Sequence, residues 1–462
     1  MNYIEEKTRK TPVIDEVDVL VVGGGVAGIA AALAAARGGA KTAIIEKNEC
    51  LGGAISAALM PQISAGAPGL MGIGKELIDE VIKYSSIPTA DLLIPIDSEV
   101  FKILSLEKLV AAGVQVYLFS HVSDAVMEGN RIKGVIFESK SGRTAILSKV
   151  VIDASGDGDI SCYAGALYKI GREDKKMRPI SLMFKVGNVD IKRMSEYAKQ
   201  NPKEFAPDLR YHFNDLERGL MRMVGYFSIV KKAKEEGVLF DDCHYIRIEG
   251  VIPQQKIAIV NATRVYNVSG VDIRDINKSI VENYEQIKQL MSLLVNRVPG
   301  FEDSFLVQLA SDLGVRETRH IEGEYIYTVD DIIQNRKFED TVVHSYKRQF
   351  PDQPSHSPDG NEGGEGDTSA HSGSAPILPF DIPYRCLVPK NIDGLLTAGR
   401  CISQTHEGDA FTRPQSTCFS IGEAAGVAAG VAVKSGKQPR DLIASGIDEV
   451  RKILKDNGVL PE

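Results

Sequence analysis

The sequence predicts an α/β fold: a central parallel sheet that carries a β-meander, with a second, α+β unit inserted into the chain. Three observations point to it. Residues 18–46 read as strand, glycine turn, helix and strand. Residues 114–159 read as β runs separated by turn dipeptides. A further strand and an Ala/Gly-rich helix follow at 394–433, so the two ends of the chain belong to one unit and the middle is an insertion.

DVLVV at 18–22 is apolar and β-branched, which suits a buried strand. Gly23 to Gly25 make a tight turn, and VAGIAAALAAAR at 26–37 reads as a helix stopped by Gly38 and Gly39. AKTAIIE at 40–46 returns as a second strand, and a helical crossover makes the two strands parallel. Residues 19–36 are 18 uncharged residues, the lower edge of a membrane-span length, but a β-rich VLVV and three successive Gly argue against a spanning helix. Residues 98–112 read as a helix ending at Gly113. From 114 to 148, VQVYLFSHVSDAV, RIKGVIFES and RTAILSK are broken by Gly129-Asn130 and Ser141-Gly142, the turn signals of a meander. KVVIDASGDGD at 149–159 closes it with a buried strand running into a Gly turn.

Residues 170–335 mix helices and strands with fewer Gly, include one or two amphipathic helices at 271–296, and read as the inserted, substrate-facing domain. The stretch 352–376 has no Val, Leu, Ile, Met, Phe or Tyr and cannot bury apolar surface, so 336–376 is expected to be a mobile loop, either passive or a lid. FDIPYRCLVPK, a strand at DGLLTAGR and a helix at 420–433 complete the chain. The first unit is thus expected in two parts, 1–169 and 377–462.

The chain carries 54 Lys+Arg against 62 Asp+Glu, a net charge of −8, and lacks basic tracts, which argues against a nucleic-acid partner. The six Cys are nowhere closer than 15 residues, so there is no CxxC motif for a metal, a cluster or a dithiol. Sparse thiols fit a reducing compartment, and the N-terminus has no apolar signal core; a cytoplasmic protein away from membranes is expected.

Gly23, Gly25 and Gly28 give GxGxxG between a strand and a helix, the Rossmann-like arrangement. The first Gly allows the turn, the second lets a diphosphate approach the backbone, and the third lets helix and strand pack closely. The free N–H groups and positive dipole end of the helix then face the phosphates. Glu46 ends the second strand, where its carboxylate can accept from both hydroxyls of an adenosine ribose and repel a 2′-phosphate. NAD and FAD both fit that motif. Gly52-Gly53, the turn in VVIDASGDG and the turn in GLLTAGR bring further Gly turns to the same sheet edge, which favours the longer FAD. The chain has one complete GxGxxG unit, so a second built-in nucleotide site is not expected.

DVLVVGGGVAGIAAALAAARGGAKTAIIEKNECLGG resembles the opening of the glutathione-reductase-like FAD-dependent oxidoreductases. The whole chain is similar, more narrowly, to a bacterial FAD-dependent oxidoreductase family, through VVIDASGDGDISCYAGA, LGVRETRHIEGEY, IPYRCLVPKNIDGLLTAGRCIS and RPQSTCFSIGEAAGVAA. The low-complexity loop at 352–376 departs from that family, whose connection there is shorter. The resemblance implies that Gly23, Gly25, Gly28, Gly52 and Gly53 serve the diphosphate, Glu46 and Lys47 the adenosine side, and Val122 the adenine through its backbone. It also implies Ala154, Ser155 and Gly156 along the diphosphate, and Gly399 and Arg400 at the ribityl or phosphate region. A helix entered at Ser420, with Gly422 in its first turn, would aim its positive end at the flavin's pyrimidine edge and stabilise the anionic reduced form. Related reductases often attach flavin through a His, and none stands near Gly53–Pro61, so non-covalent FAD is expected.

Arg316 and Arg319, three apart, share a face if their segment is helical, and could clamp a substrate carboxylate or enolate. The alternative is an ion-pair network with Glu317, Asp312 or Glu322. His406 is the candidate proton donor or acceptor, with Glu407 and Arg413 to orient it, or else a residue capping the turn. Cys50 stands beside a Gly pair but has no second Cys within 100 residues, and His212, His244 and His320 have no metal-ligand spacing. The expected activity is hydride transfer between a small polar metabolite and FAD, by dehydrogenation or double-bond reduction, with an unidentified electron donor or acceptor. The alternatives are an electron-transfer subunit of a larger complex and an RNA-modifying flavoenzyme, the latter weakened by the acidic charge. A homo-oligomer is compatible with each.

Overall fold

The computed structural model describes residue 4 and residues 7–64, 70–85, 93–206, 223–348 and 377–461. Its larger sheet is built around Val13–Val22, which pairs in parallel with Thr42–Ile45 on one side and Gly142–Asp153 on the other. Gln115–Tyr117 continues the sheet in parallel beyond Thr42–Ile45. Gly142–Asp153 is 12 residues long and serves two neighbours along its outer edge. Its first part pairs antiparallel with Arg131–Ser139, which pairs with His121–Glu128; its last three residues pair in parallel with Leu395–Thr397.

Two expectations are corrected here. RTAILSK and KVVID form one strand, so meander and parallel sheet share a member. VQVYLFSHVSDAV is two strands, broken at 118–120 where Phe119 takes φ 52°; its first piece joins the parallel sheet and its second the meander. Val22, Ile45, Tyr117, Asp153 and Thr397 therefore end five parallel strands at one edge. In open α/β sheets this is the edge that binds ligands.

The helix Val26–Arg37 packs against the helix Gln415–Ser435. The second helix is long and apolar enough to cross a membrane, but 94% of its most apolar window is buried inside the fold. Small residues let the backbones meet: a Cβ on Gly422 would lie 2.1 Å from the Ala27 carbonyl oxygen, and one on Gly426 2.2 Å from that of Ala31. Gly422→Ala is expected to lower stability by about 1–3 kcal/mol, the usual cost of overpacking a close contact. Thermal unfolding with excess FAD present reads this, and an unchanged Tm would show that the helices part freely.

The inserted residues form a five-stranded antiparallel sheet in the order Met223–Gly225, Ile246–Ile252, Ile257–Val260, Phe184–Gly187, Phe305–Leu309. One helix, Ile273–Arg297, covers it through Ile287, Leu290, Leu293 and Leu294, which share a core with Phe184, Val186, Ile246 and Ile248. Two short ladders flank the sheets. Tyr168–Ile170 pairs with Arg319–Ile321, and Thr341–Arg348 with Ile377–Pro383. The second corrects part of the loop expected at 336–376: TVVHSYKR is β-branched, and Val342 and Val343 are fully buried. The low-complexity stretch at 352–376 lies outside the described residues.

Candidate active site

The glycine turn follows directly from the end of Val13–Val22. Gly23 takes φ 100°, and a Cβ there would lie 2.4 Å from the Ala154 carbonyl oxygen. A Cβ on Gly28 would lie 1.8 Å from the Gly23 carbonyl oxygen. Gly25 is different, since a Cβ there meets nothing within 4 Å. Gly25 is also the N-cap of Val26–Arg37 and supplies no side chain, so the N–H groups of Val26, Ala27 and Gly28 lack intrahelical acceptors. Open space in front of uncapped, dipole-polarised amides is what a diphosphate requires.

The second glycine pair closes the other side. The Gly52 amide donates to the Gly24 carbonyl at 2.8 Å, Gly25 and Gly52 form a parallel bridge, and a Cβ on Gly53 would approach Gly25 Cα to 3.2 Å. Glu46 is buried, and its carboxylate accepts from the amides of Gly24 (2.5 Å) and Asn48 (2.9 Å). Burial pushes this carboxyl up, opposed by those two amides. A carboxylate offers about four acceptor positions, so two remain for a ribose diol. Lys47 is turned to a different task, an ion pair with Asp312 at 3.2 Å. Val122 sits in the first meander strand opposite Phe137.

The third turn, at 154–158, is shaped by Asp153, which is fully buried and was not singled out from the sequence. It accepts from the Ser155 amide and hydroxyl at 3.1 and 2.6 Å, and from the Ser161 amide and hydroxyl at 2.8 and 2.6 Å. Gly156 takes φ 80° and faces Arg400, whose Nη2 donates to Asp157 at 2.8 Å. Arg400 Nη1 is buried without an acceptor. Gly399 takes φ 83°, with Ala27 Cβ 3.2 Å from where its own Cβ would stand.

The helix that was expected to begin at Ser420 begins at Gln415, with Pro414 as its N-cap and no side-chain cap. Gly422 is two turns inside it, pressed on Ala27. It is a packing residue, and the amides of this dipole end that lack intrahelical acceptors belong to Gln415, Ser416 and Thr417. Gln415 Oε1 is buried there without a donor.

The catalytic candidates separate in the structure. Residues 315–318 are not helical and Arg319 opens a strand, so Arg316 and Arg319 share no helical face. Arg319 Nη1 donates to the Asp157 carbonyl and to Asp159, both at 2.9 Å, with the guanidinium 5.6 Å from the centre of the Tyr168 ring. Arg319 is thus held in an ion pair, as the alternative to the clamp expected, but with Asp159 and not with Glu317, Asp312 or Glu322. Arg316 is buried and donates only to neutral groups, the Pro179 carbonyl at 2.5 Å and Ser181 Oγ at 3.0 Å.

His406 is the first residue of the helix His406–Thr412, and its Nδ1 lies 2.7 and 2.8 Å from the two oxygens of Glu317. Glu407 is exposed and Arg413 pairs with Asp409 at 3.6 Å, while the carboxylate that meets the His406 ring is that of Glu317. Glu317 also meets His320 Nε2 at 2.9 Å. Arg178, missed in the sequence, donates through its amide to Glu317 at 3.3 Å and through Nη2 to the His406 carbonyl at 2.9 Å, and lies 3.3 Å from Asp409. All five side chains are at most 5% exposed. Burial alone would raise the Glu317 pKa, but the hydrogen bonds of His320 and His406 outweigh it and hold it to about 2. An ionised Glu317 makes Nδ1 the donor, so a neutral His406 keeps Nε2 as its basic atom.

Residues 18–454 match the family described as FAD dependent oxidoreductase. The chain belongs to that family. Its members' defining cofactor fits the open face of Gly25, the paired glycine turns and the orphaned donor of Arg400. The chain is 31% identical over 160 residues to a thiamine thiazole synthase of Pyrococcus horikoshii, a match covering 31% of this chain and 58% of that protein. It is 31% identical over 156 residues to digeranylgeranylglycerophospholipid reductase 2 of Methanopyrus kandleri, covering 30% and 38%. The chain thus spans 58% of the first of these relatives and 38% of the second, under two thirds of either. Among solved structures, a geranylgeranyl bacteriochlorophyll reductase-like protein of Thermoplasma acidophilum aligns over 96% of this chain and 84% of its own, at 14% identity and a TM-score of 0.47. The curated relatives are archaeal, so the match supports the family and not the bacterial, glutathione-reductase-like subgroup suggested by the sequence.

In this FAD-dependent oxidoreductase the six thiols are free. Burial pushes Cys243 and Cys418 up to about 12 and also raises Cys50, which removes any thiolate near neutrality at those positions. Among the described residues no three His, Cys, Asp or Glu gather as a metal site; His212 lies outside them.

Proposed function

We propose that this enzyme transfers a hydride between a C–H bond of a small polar metabolite and non-covalently bound FAD. The observation that carries the reading is the buried pair, at 2.7 Å, of Glu317 with His406, which opens a helix a few residues after the turn at 399–401. FAD supplies the hydride acceptor or donor. The chain supplies the proton chemistry: His406 Nε2 takes the hydroxyl proton as an alcohol is dehydrogenated, or returns one to carbon when a double bond is reduced. Glu317 fixes the ring and stabilises its charged form, as a positioning residue. Gly23, Gly25, Gly28, Gly52 and Gly53 would hold the diphosphate, Glu46 the ribose, Val122 the adenine, Ala154, Ser155 and Gly156 the diphosphate side, and Gly399 and Arg400 the ribityl region. Sparse, free thiols, five of the six buried, support a reducing, cytoplasmic setting.

The test is anaerobic. Purified protein should be yellow and release free FAD on acid precipitation, and a screen of small metabolites should find one that bleaches the flavin. Colourless protein that cannot be reconstituted, or bleaching that requires a second protein, would overturn the reading.

A further inference from the structure

Arg316 poses a physical problem. It is buried, and both of its hydrogen bonds go to uncharged oxygens. A guanidinium removed from water without a counter-charge is unfavourable unless an anion arrives. Its neighbours increase the difficulty. The segment 179–182 runs between two others, with Ile180 bridged to Val265, Ser181 bridged to Gly314, and the Leu182 amide on Thr263 Oγ1 at 2.8 Å. Arg264 and Arg316 thereby stand on either side of Ser181. Arg264 is also buried, with Nη1 on Asn261 Oδ1 and the Thr263 carbonyl. Arg413 comes from another direction, from the end of His406–Thr412, and shares the Asp409 carboxylate with Arg178. Burial first, and then the positive charges of Arg264 and Arg413, hold the Arg316 guanidinium well below its ordinary value. Tyr266 lies in the same field, its hydroxyl buried without a partner and kept protonated by burial.

We propose that Arg264, Arg316, Arg413 and the Tyr266 hydroxyl form a recess that takes the oxyanionic group of the substrate, a carboxylate or a phosphate; this rests on the oxidoreductase reading above. Three cations from separate segments and one neutral donor converge where the chain itself provides uncharged acceptors for Arg316. A forked guanidinium matches either oxyanion through paired hydrogen bonds. Arg413, with its side chain 23% exposed, is the entrance, and Arg264 and Arg316 are the floor. The enclosure suits a compact anion rather than a polymer. It also adds substrate residues from the segments that follow Ile257–Val260 and Phe305–Leu309 to a cofactor site built from the two ends of the chain.

Isothermal titration calorimetry at constant ionic strength tests this on the full-length protein. The probes are malonate and inorganic phosphate, with malonamide as the uncharged control. Saturable one-site binding of malonate, of phosphate or of both is expected, and which of them binds identifies the substrate's anion. Malonamide should give none. Arg316→Gln should weaken anion binding at least tenfold, Arg316→Lys less, and Tyr266→Phe a few-fold, with FAD content unchanged. If Arg316→Gln does not fold, Arg413→Gln at the more exposed end gives the same reading. Absence of saturable binding by both anions, or wild-type affinity in the Gln variants, overturns the proposal. Calorimetry needs no turnover, so a failure here leaves the hydride-transfer reading standing, while colourless protein that still binds the anion would sink that reading alone.

Discussion

Gly25→Ala is expected to leave the fold intact and cost at least about 100-fold in FAD affinity, roughly 3 kcal/mol. The two halves of that expectation have separate physical causes. A Cβ at Gly25 meets nothing within 4 Å, so the turn and the helix Val26–Arg37 have no clash to relieve, and Tm measured without FAD should stay near wild type. The space it enters is the one in front of the uncapped amides, with Gly52 and Gly53 on its far side, so the methyl displaces the diphosphate. Gly28→Ala makes the contrast. There the added carbon would lie 1.8 Å from the Gly23 carbonyl oxygen, a backbone atom that cannot move away alone, so both FAD and stability should fall. The check is flavin absorbance after gel filtration, alongside thermal unfolding of the apoproteins. If Gly25→Ala retained FAD as tightly as wild type, the trough between the glycine turns would not be the diphosphate site.

The reason Gly25 could be singled out from sequence is that its role is local. A strand, a Gly turn and a helix within 20 residues fix their own geometry, and Val26–Arg37 lies where the apolar pattern places it. Local signals also give the meander strands and Leu395–Thr397. The failures share the opposite property. Glu317 orients His406 from 89 residues away, whereas Glu407, adjacent in sequence, points to solvent. Arg178 and Asp409 are likewise joined only by the fold. Arg319 was expected to face a substrate because i,i+3 spacing implies a shared helical face, but the segment is extended and pairs with Tyr168–Ile170. Gly422 was assigned to the flavin through the resemblance, in a helix entered at Ser420; with the start at Gln415, what presses on it is another helix. Sequence reading thus reaches contacts within one supersecondary unit, and a buried charged cluster assembled from three remote segments stays out of its range. From the sequence Glu317 was named only as an ion-pair partner for the arginines; the signal for its pairing with a His is RETRH, a carboxylate with His320 three residues on.

Glu317→Gln should retain FAD and slow reductive bleaching of the flavin by about 100-fold, the size of effect expected when a reacting group loses its positioning. Gln has nearly the same shape, so packing around Arg178 and His320 is preserved, and what changes is charge. A neutral amide no longer stabilises imidazolium, and its NH2 can face Nδ1 and reverse the tautomer, leaving Nε2 protonated before it is needed. His406→Ala should be at least as slow with FAD still bound, and the double variant should be little slower than the worse single one, because the two residues act as a unit. Equal turnover in wild type and both single variants would remove His406 and Glu317 from the mechanism. A purely structural role makes a different forecast, so stability against pH separates the two. The Glu317 carboxyl is held to about 2, below its ordinary 4.5, so the stability it contributes is fully present above about pH 4.5 and is lost as pH falls toward 2. Glu317→Gln should flatten acid unfolding in that window while leaving the slope above it unchanged. Loss of turnover near neutral pH, where the stability term is constant, is then attributable to proton transfer rather than to unfolding.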